Sequence, residues 1–195
     1  MTMTLQALAI QTITKPAEAA RAILSRDWPR EALWSGLFLG LVLNTLFYAL
    51  QQMLFPVPAG AQMIQMGTSA YLAMNLAIQL ALIGGITLAG RFFSGQGRAD
   101  QVMALMIWLL ILQAAAHAVM LLLILVSPVV AVLMNLAVVV VGFFIMLHFV
   151  NEVHGLGSLF KAFAVVMMAG VIVIAALTLF LNLFGFSILG LTANV

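Results

Sequence analysis

The chain has 195 residues, of which 66% are hydrophobic and 6% charged, with a formal net charge of +2 and a mean hydropathy of +1.25. A soluble domain carries about 25% charged residues, so a water-facing globule is excluded and lipid must be the solvent for most of the chain. Seven scattered basic residues exclude a nucleic-acid footprint, and the lack of cysteine excludes disulfides, thiolate metal sites and cysteine nucleophiles.

Residues 1–31 form an N-terminal arm with the stretch ITKPAEAARAILSRDWPREALW. Its spacing predicts a short amphipathic helix with Thr14 as N-cap, Pro16 in the first turn and Glu18 at the positive helix end. Ala17, Ala20, Ile23 and Leu24 recur at helical spacing, while Lys15, Glu18 and Arg21 are polar. This pattern suits a helix lying along the inner leaflet, with Trp28 and Trp34 as boundary residues; docking onto a partner is the alternative. Leu5, Leu8, Ala9 and Ile13 extend the apolar pattern upstream. The start lacks the basic-then-apolar order of a cleaved signal, so the first span is expected to insert uncleaved.

A membrane-crossing helix needs about 20 largely apolar residues, and five stretches supply them: Ala32–Phe55, Thr68–Gly90, Val102–Val126, Val129–Val150 and Ala162–Phe184. The Pro56/Pro58 pair ends the first and Ser127-Pro128 ends the third. Continuous rather than alternating apolar runs favour helices over a barrel. The expected architecture is all-α: a polytopic membrane protein with five transmembrane helices in a compact bundle over 32–184, and a short external tail at 185–195.

All seven basic residues precede the first span or fall in the loops after the second and fourth. With an odd number of spans these positions share one side, which predicts a cytoplasmic N-terminus and an external C-terminus. A charge at mid-bilayer costs about 2.5–3.5 kcal/mol, and none is placed there. GRFFSGQGRADQ, residues 90–101, is then a cytoplasmic hairpin. It lacks the GxxxxGK[ST] pattern and the preceding strand that phosphate and dinucleotide sites require, so an arginine-anchored turn is favoured over a phosphate cradle.

Within the spans, Asn44, Asn75, Gln79, Gln113, His117 and Asn135 are a candidate polar cluster. Asn75 and Gln79 share a face of the second span, as Gln113 and His117 do of the third. Interhelical hydrogen bonding is the plain reading, and a solute or proton path is the sharper one, His117 being the ionisable member. Ala32/Gly36/Gly40 and Ala77/Ala81/Gly85/Ala89 are small-residue stripes that allow close helix packing, within the fold or between copies. Arg91, Arg98, Asp100, Glu152 and Lys161 are candidate cytoplasmic contacts.

Enzyme signatures fail. GFSILG at 185–190 has its second glycine one residue late for GxSxG. HFVNEVH at 148–154 is not HExxH: a helix puts His148 and Glu152 on one face and turns His154 about 200° away from Glu152. A solvated helix end is favoured over a bound metal there.

The segments ITKPAEAARAIL before the first span, FFSGQGRADQVMALMIW into the third and NEVHGLGSLFKAFAVV into the fifth, on a five-span frame, resemble the Yip family of Ypt/Rab-interacting membrane proteins, in its bacterial branch, over residues 13–184. The resemblance implies a compact five-helix membrane domain and brings no catalytic residues. The small-GTPase adaptor role of eukaryotic relatives uses longer cytoplasmic segments and is not carried over. This chain also lacks the proline that relatives often carry in the third span. The expectation is a bacterial inner-membrane protein without catalytic activity or cofactor, acting as a scaffold or accessory subunit. Its partners would be the lipid bilayer, other membrane proteins or further copies of itself, with no nucleic acid. A small-solute channel or transporter using the polar cluster is the rival.

Overall fold

The computed structural model describes residues 4–56 and 67–183, with side chains to Leu179. GFSILG at 185–190, the external tail and Pro58 lie outside the described residues. Seven helices are described, with no strand among the described residues: α1 (Leu5–Thr14), α2 (Pro16–Leu24), α3 (Arg30–Leu54), α4 (Thr68–Phe92), α5 (Ala99–Val126), α6 (Pro128–His154) and α7 (Leu159–Leu183). The last five are long and apolar enough to cross a membrane.

These helices reach beyond the apolar runs of the sequence at the charged ends. α3 takes in Arg30 and Glu31, α5 takes in Asp100, α6 runs on through Glu152 to His154, and α7 includes Lys161. The reason is length: 25 residues make about 37 Å of helix against a hydrocarbon core of about 30 Å, so the last turn stands in the headgroup layer. Local chemistry sets the ends. Pro128 opens α6 behind the N-cap Ser127, whose hydroxyl accepts from Val130 N–H. Gly155 closes it at φ 62°, a left-handed conformation that glycine adopts at no steric cost, and Leu156 N–H donates to the Asn151 carbonyl at 3.1 Å.

The arm departs from the expected single helix. Thr14 is not an N-cap: it is the last residue of α1, and its hydroxyl donates to the Ile10 carbonyl at 2.9 Å. Thr4 is the side-chain cap instead, accepting from Ala7 N–H. The break falls at Lys15, because Pro16 sterically drives the residue before it out of helical conformation. An elbow results, bridged by Glu18, which accepts from Gln11 Nε2 at 3.2 Å and pairs with Lys15 at 3.3 Å. Those two contacts, Gln11 first, hold the Glu18 carboxyl below its usual range.

The five long helices close into a ring in the order α3, α5, α6, α7, α4, with α4 also touching α5. α2 lies against α5 and α6 and buries Ala19, Ala20 and Ile23 there, so the apolar face expected to rest on lipid is packed on the bundle. Residues 102–108 of α5 are buried on every side because this arm covers the face that the ring leaves open. The core therefore sits in the charged-end half, around Leu37, Ile86, Leu105, Phe149 and Val165. Lipid tails are as apolar as these side chains, so close packing rather than water exclusion must hold the helices together. The small-residue stripes supply it inside the fold. A Cβ on Gly36 would come within 3.1 Å of Ile107, one on Gly40 within 3.0 Å of Leu110, and one on Gly85 within 3.3 Å of the Ala169 carbonyl.

Candidate functional site

Gly40 lets α5 approach α3 closely enough for Asn44, one turn later, to reach across. Asn44 is 1% exposed. Its Nδ2 donates to the Gly40 carbonyl at 2.8 Å and to the Leu110 carbonyl at 3.0 Å, which uses both amide hydrogens. Its Oδ1 lies 3.1 Å from His117 Nδ1. An amide oxygen only accepts, so His117 donates from Nδ1. Asn44 is thereby fully engaged among two carbonyls and one imidazole.

Of the six candidate intramembrane polar residues, hydrogen bonds join only Asn44 and His117 among the described residues. Gln79 is buried, and its Oε1 has no partner; Thr45 Oγ1 is in the same condition. Asn75 is half-buried. Gln113 and Asn135 are exposed, on the outer surface of α5 and α6. α6 presents an almost continuous exposed surface around Asn135, including Val132, Leu133, Leu136 and Val139.

At the charged end the loop between α4 and α5 is shorter than the sequence suggests, only residues 93–98. Its glycines make room for a ring. His154, the last residue of α6, is 2% exposed and is inserted against Gly90, Gly95 and Gly97. A Cβ on Gly95 would lie 2.6 Å from His154 Cβ, one on Gly97 would lie 2.5 Å from Nδ1, and one on Gly90 would also collide with the ring. Gln96 N–H donates to the His154 carbonyl at 3.1 Å and Gly97 N–H donates to Nδ1 at 3.2 Å. An Nδ1 that accepts leaves the proton on Nε2. The Gln96 and Gly97 N–H groups are therefore engaged by His154 and are not free to cradle a phosphate. Sequence reasoning missed this socket, although glycines at both 95 and 97 and a histidine at a helix end were visible signals.

His148 and His154 are separated as the helical geometry requires. His148 Nδ1 lies 2.9 Å from the Phe144 carbonyl and its ring rests on Phe144, with centroids 4.3 Å apart. Among the candidate cytoplasmic contacts, Glu152 binds Arg21 of α2 through both carboxylate oxygens, each at 3.3 Å. Arg98 pairs with Asp100, Nε to Oδ1 at 3.1 Å. Arg91 and Lys161 are exposed and make no ion pair among the described residues. A second tie holds the arm: the Trp108 indole N–H donates to the buried Thr12 hydroxyl at 2.8 Å.

The family model described as the Yip1 domain matches residues 10–181, which takes in most of the arm, all of α3 to α6 and α7 as far as residue 181. The chain belongs to the Yip1-domain family. No match was found among curated proteins or among solved structures. The Yip1-domain match begins within α1, so the docked arm is part of the family unit and not an appendage to it. It also covers Asn44, His117 and the His154 socket.

Proposed function

We propose that this Yip1-domain protein is a non-catalytic scaffold or accessory subunit of a membrane complex, inserted in a bacterial inner membrane with its charged end in the cytosol. The observation that carries the reading is how the polar groups are disposed. Asn44 and His117 close on each other and on backbone carbonyls, whereas Gln113 and Asn135 face outward with no hydrogen bond among the described residues. An amide facing hydrocarbon lacks partners, and a neighbouring helix is the usual source of them, at about 0.6 kcal/mol per contact. The outer halves of α5 and α6 are then the docking face, and the orientation follows the basic residues.

A small-solute conduit is the second reading. It is favoured by Gln79 Oε1 and Thr45 Oγ1, both buried without a partner, since water or a solute would satisfy them. The test of the scaffold reading is photocrosslinking in native membranes from positions 113 and 135, with the exposed Val171 of α7 as the lipid-facing control. The expected result is a discrete protein adduct from 113 or 135 and lipid adducts alone from 171. Lipid adducts alone from all three, with the protein running alone in mild detergent at every expression level, would end the scaffold reading.

A further inference from the structure

A cavity of about 230 Å³ lies where the arm crosses the bundle, walled by α1, α2, the residues after α2, and the first halves of α3 and α5. We propose that it binds one acyl chain of a membrane phospholipid, with Arg26 at the mouth holding the headgroup phosphate.

Three observations converge on this occupant. The first is chemistry. The floor is apolar, formed by the buried Ile23, Leu33, Ile107 and Trp108. The indole N–H groups that could greet a polar ligand are already used, Trp108 on Thr12 and Trp28 on the Ile23 carbonyl. A water needs two to four polar partners, and this lining does not offer them. Arg26 is the charged residue of the lining; its guanidinium sits 5.9 Å from the Trp28 ring and makes no ion pair among the described residues. An apolar pocket with a cation at its lip is complementary to an anionic amphiphile.

The second is depth. Ala104 and Ile111 of the wall are five and twelve residues into α5, about 8 and 18 Å from its charged end. That places the Ile107 and Trp108 part of the floor at acyl-chain level, and Arg26, four residues before the start of α3, at headgroup level. The third is size. An engineered apolar cavity of about 150 Å³ holds benzene, so 230 Å³ admits a run of methylenes. An α-helix, about 10–12 Å across, does not fit, which argues against a span of a second copy.

The test uses the full-length protein in phosphatidylcholine vesicles doped with phosphatidylglycerol carrying a photoreactive acyl chain, with the labelled peptides mapped. Label is expected on the α3 and α5 peptides carrying Leu33 and Ile107. Ala22→Leu and Ala32→Phe, which fill the cavity from its two sides, should abolish label there while the α6 label around Val139 and the gel-filtration peak persist. Arg26→Gln should weaken labelling by the phosphatidylglycerol probe about fivefold, the contribution expected of one interfacial cation. It should leave labelling by a diacylglycerol with the same photoreactive chain unchanged. Label spread evenly over the lipid-facing surface and unaltered by the filling variants would mean annular lipid only and overturn the proposal. So would labelling of the cavity that appears only after residues 1–3 are deleted, or a crosslink showing a second copy's side chain inside it.

Discussion

Gly97 and His154 show how one residue's chemistry decides a segment's role. None of Gly90, Gly95 and Gly97 has positive φ, so backbone freedom does not explain them; the space that His154 occupies does. Gly97→Val should therefore destabilise the detergent-solubilised protein by about 1–3 kcal/mol, the usual cost of overpacking. In a His154→Ala background the same change should cost less, because the two ring atoms it strikes most closely are gone and only the Val153 carbonyl, 3.0 Å away, remains in its path. Thermal unfolding of the four proteins in the cycle measures this coupling, and additive effects would mean that the socket does not hold in solution. The glycines were legible in the sequence as punctuation; their target was not. His154 lies 57 residues from Gly97, and local pattern does not reveal which distant side chain a gap in the backbone admits. The same limit applies to Asn44 and His117, which were legible as polar residues within the spans, Asn44 near mid-depth and His117 toward the outside, but not as the one bonded pair among six.

At the scale of elements, the arm was read correctly as amphipathic and incorrectly as one helix capped at Thr14. Amphipathicity depends on composition at a period that α1 and α2 share, whereas the break depends on the steric effect of Pro16 upon Lys15. What the apolar face packs against is a tertiary fact. It depends on the face of α5 at residues 102–108 that the ring leaves open, which local pattern does not encode. Two ties hold the arm, and they differ in weight. The Arg21–Glu152 pair has an arginine that is 62% exposed, so solvent screening leaves it about 0–1 kcal/mol. The Trp108–Thr12 bond is buried, and Thr12→Val would leave the indole N–H without its acceptor at a cost of about 1–3 kcal/mol. Hydrogen exchange of α1 and α2 in nanodiscs should accelerate strongly in Thr12→Val and little in Arg21→Ala. Equal protection in the two variants would mean that the arm is held by its apolar face alone.

For the whole molecule, the number of spans and the single-sided placement of charge were legible because both follow from the energy of charge in hydrocarbon, which composition expresses directly. The ring order α3, α5, α6, α7, α4 was not, because glycine stripes say that helices approach but not which ones. The account rests on a bundle whose interior polar pair, Asn44 and His117, closes on itself and on backbone carbonyls and not on a column of water. This natural chain lacks cysteine, so single cysteines report cleanly. In membranes opened to both sides, a membrane-impermeant thiol reagent should modify Gln96→Cys, in the exposed loop, within minutes. It should leave Gln79→Cys and His117→Cys unmodified until the membrane is dissolved and the protein unfolded. Modification of positions 79 and 117 at rates comparable to position 96 would contradict the account and put a water-filled path through the bundle.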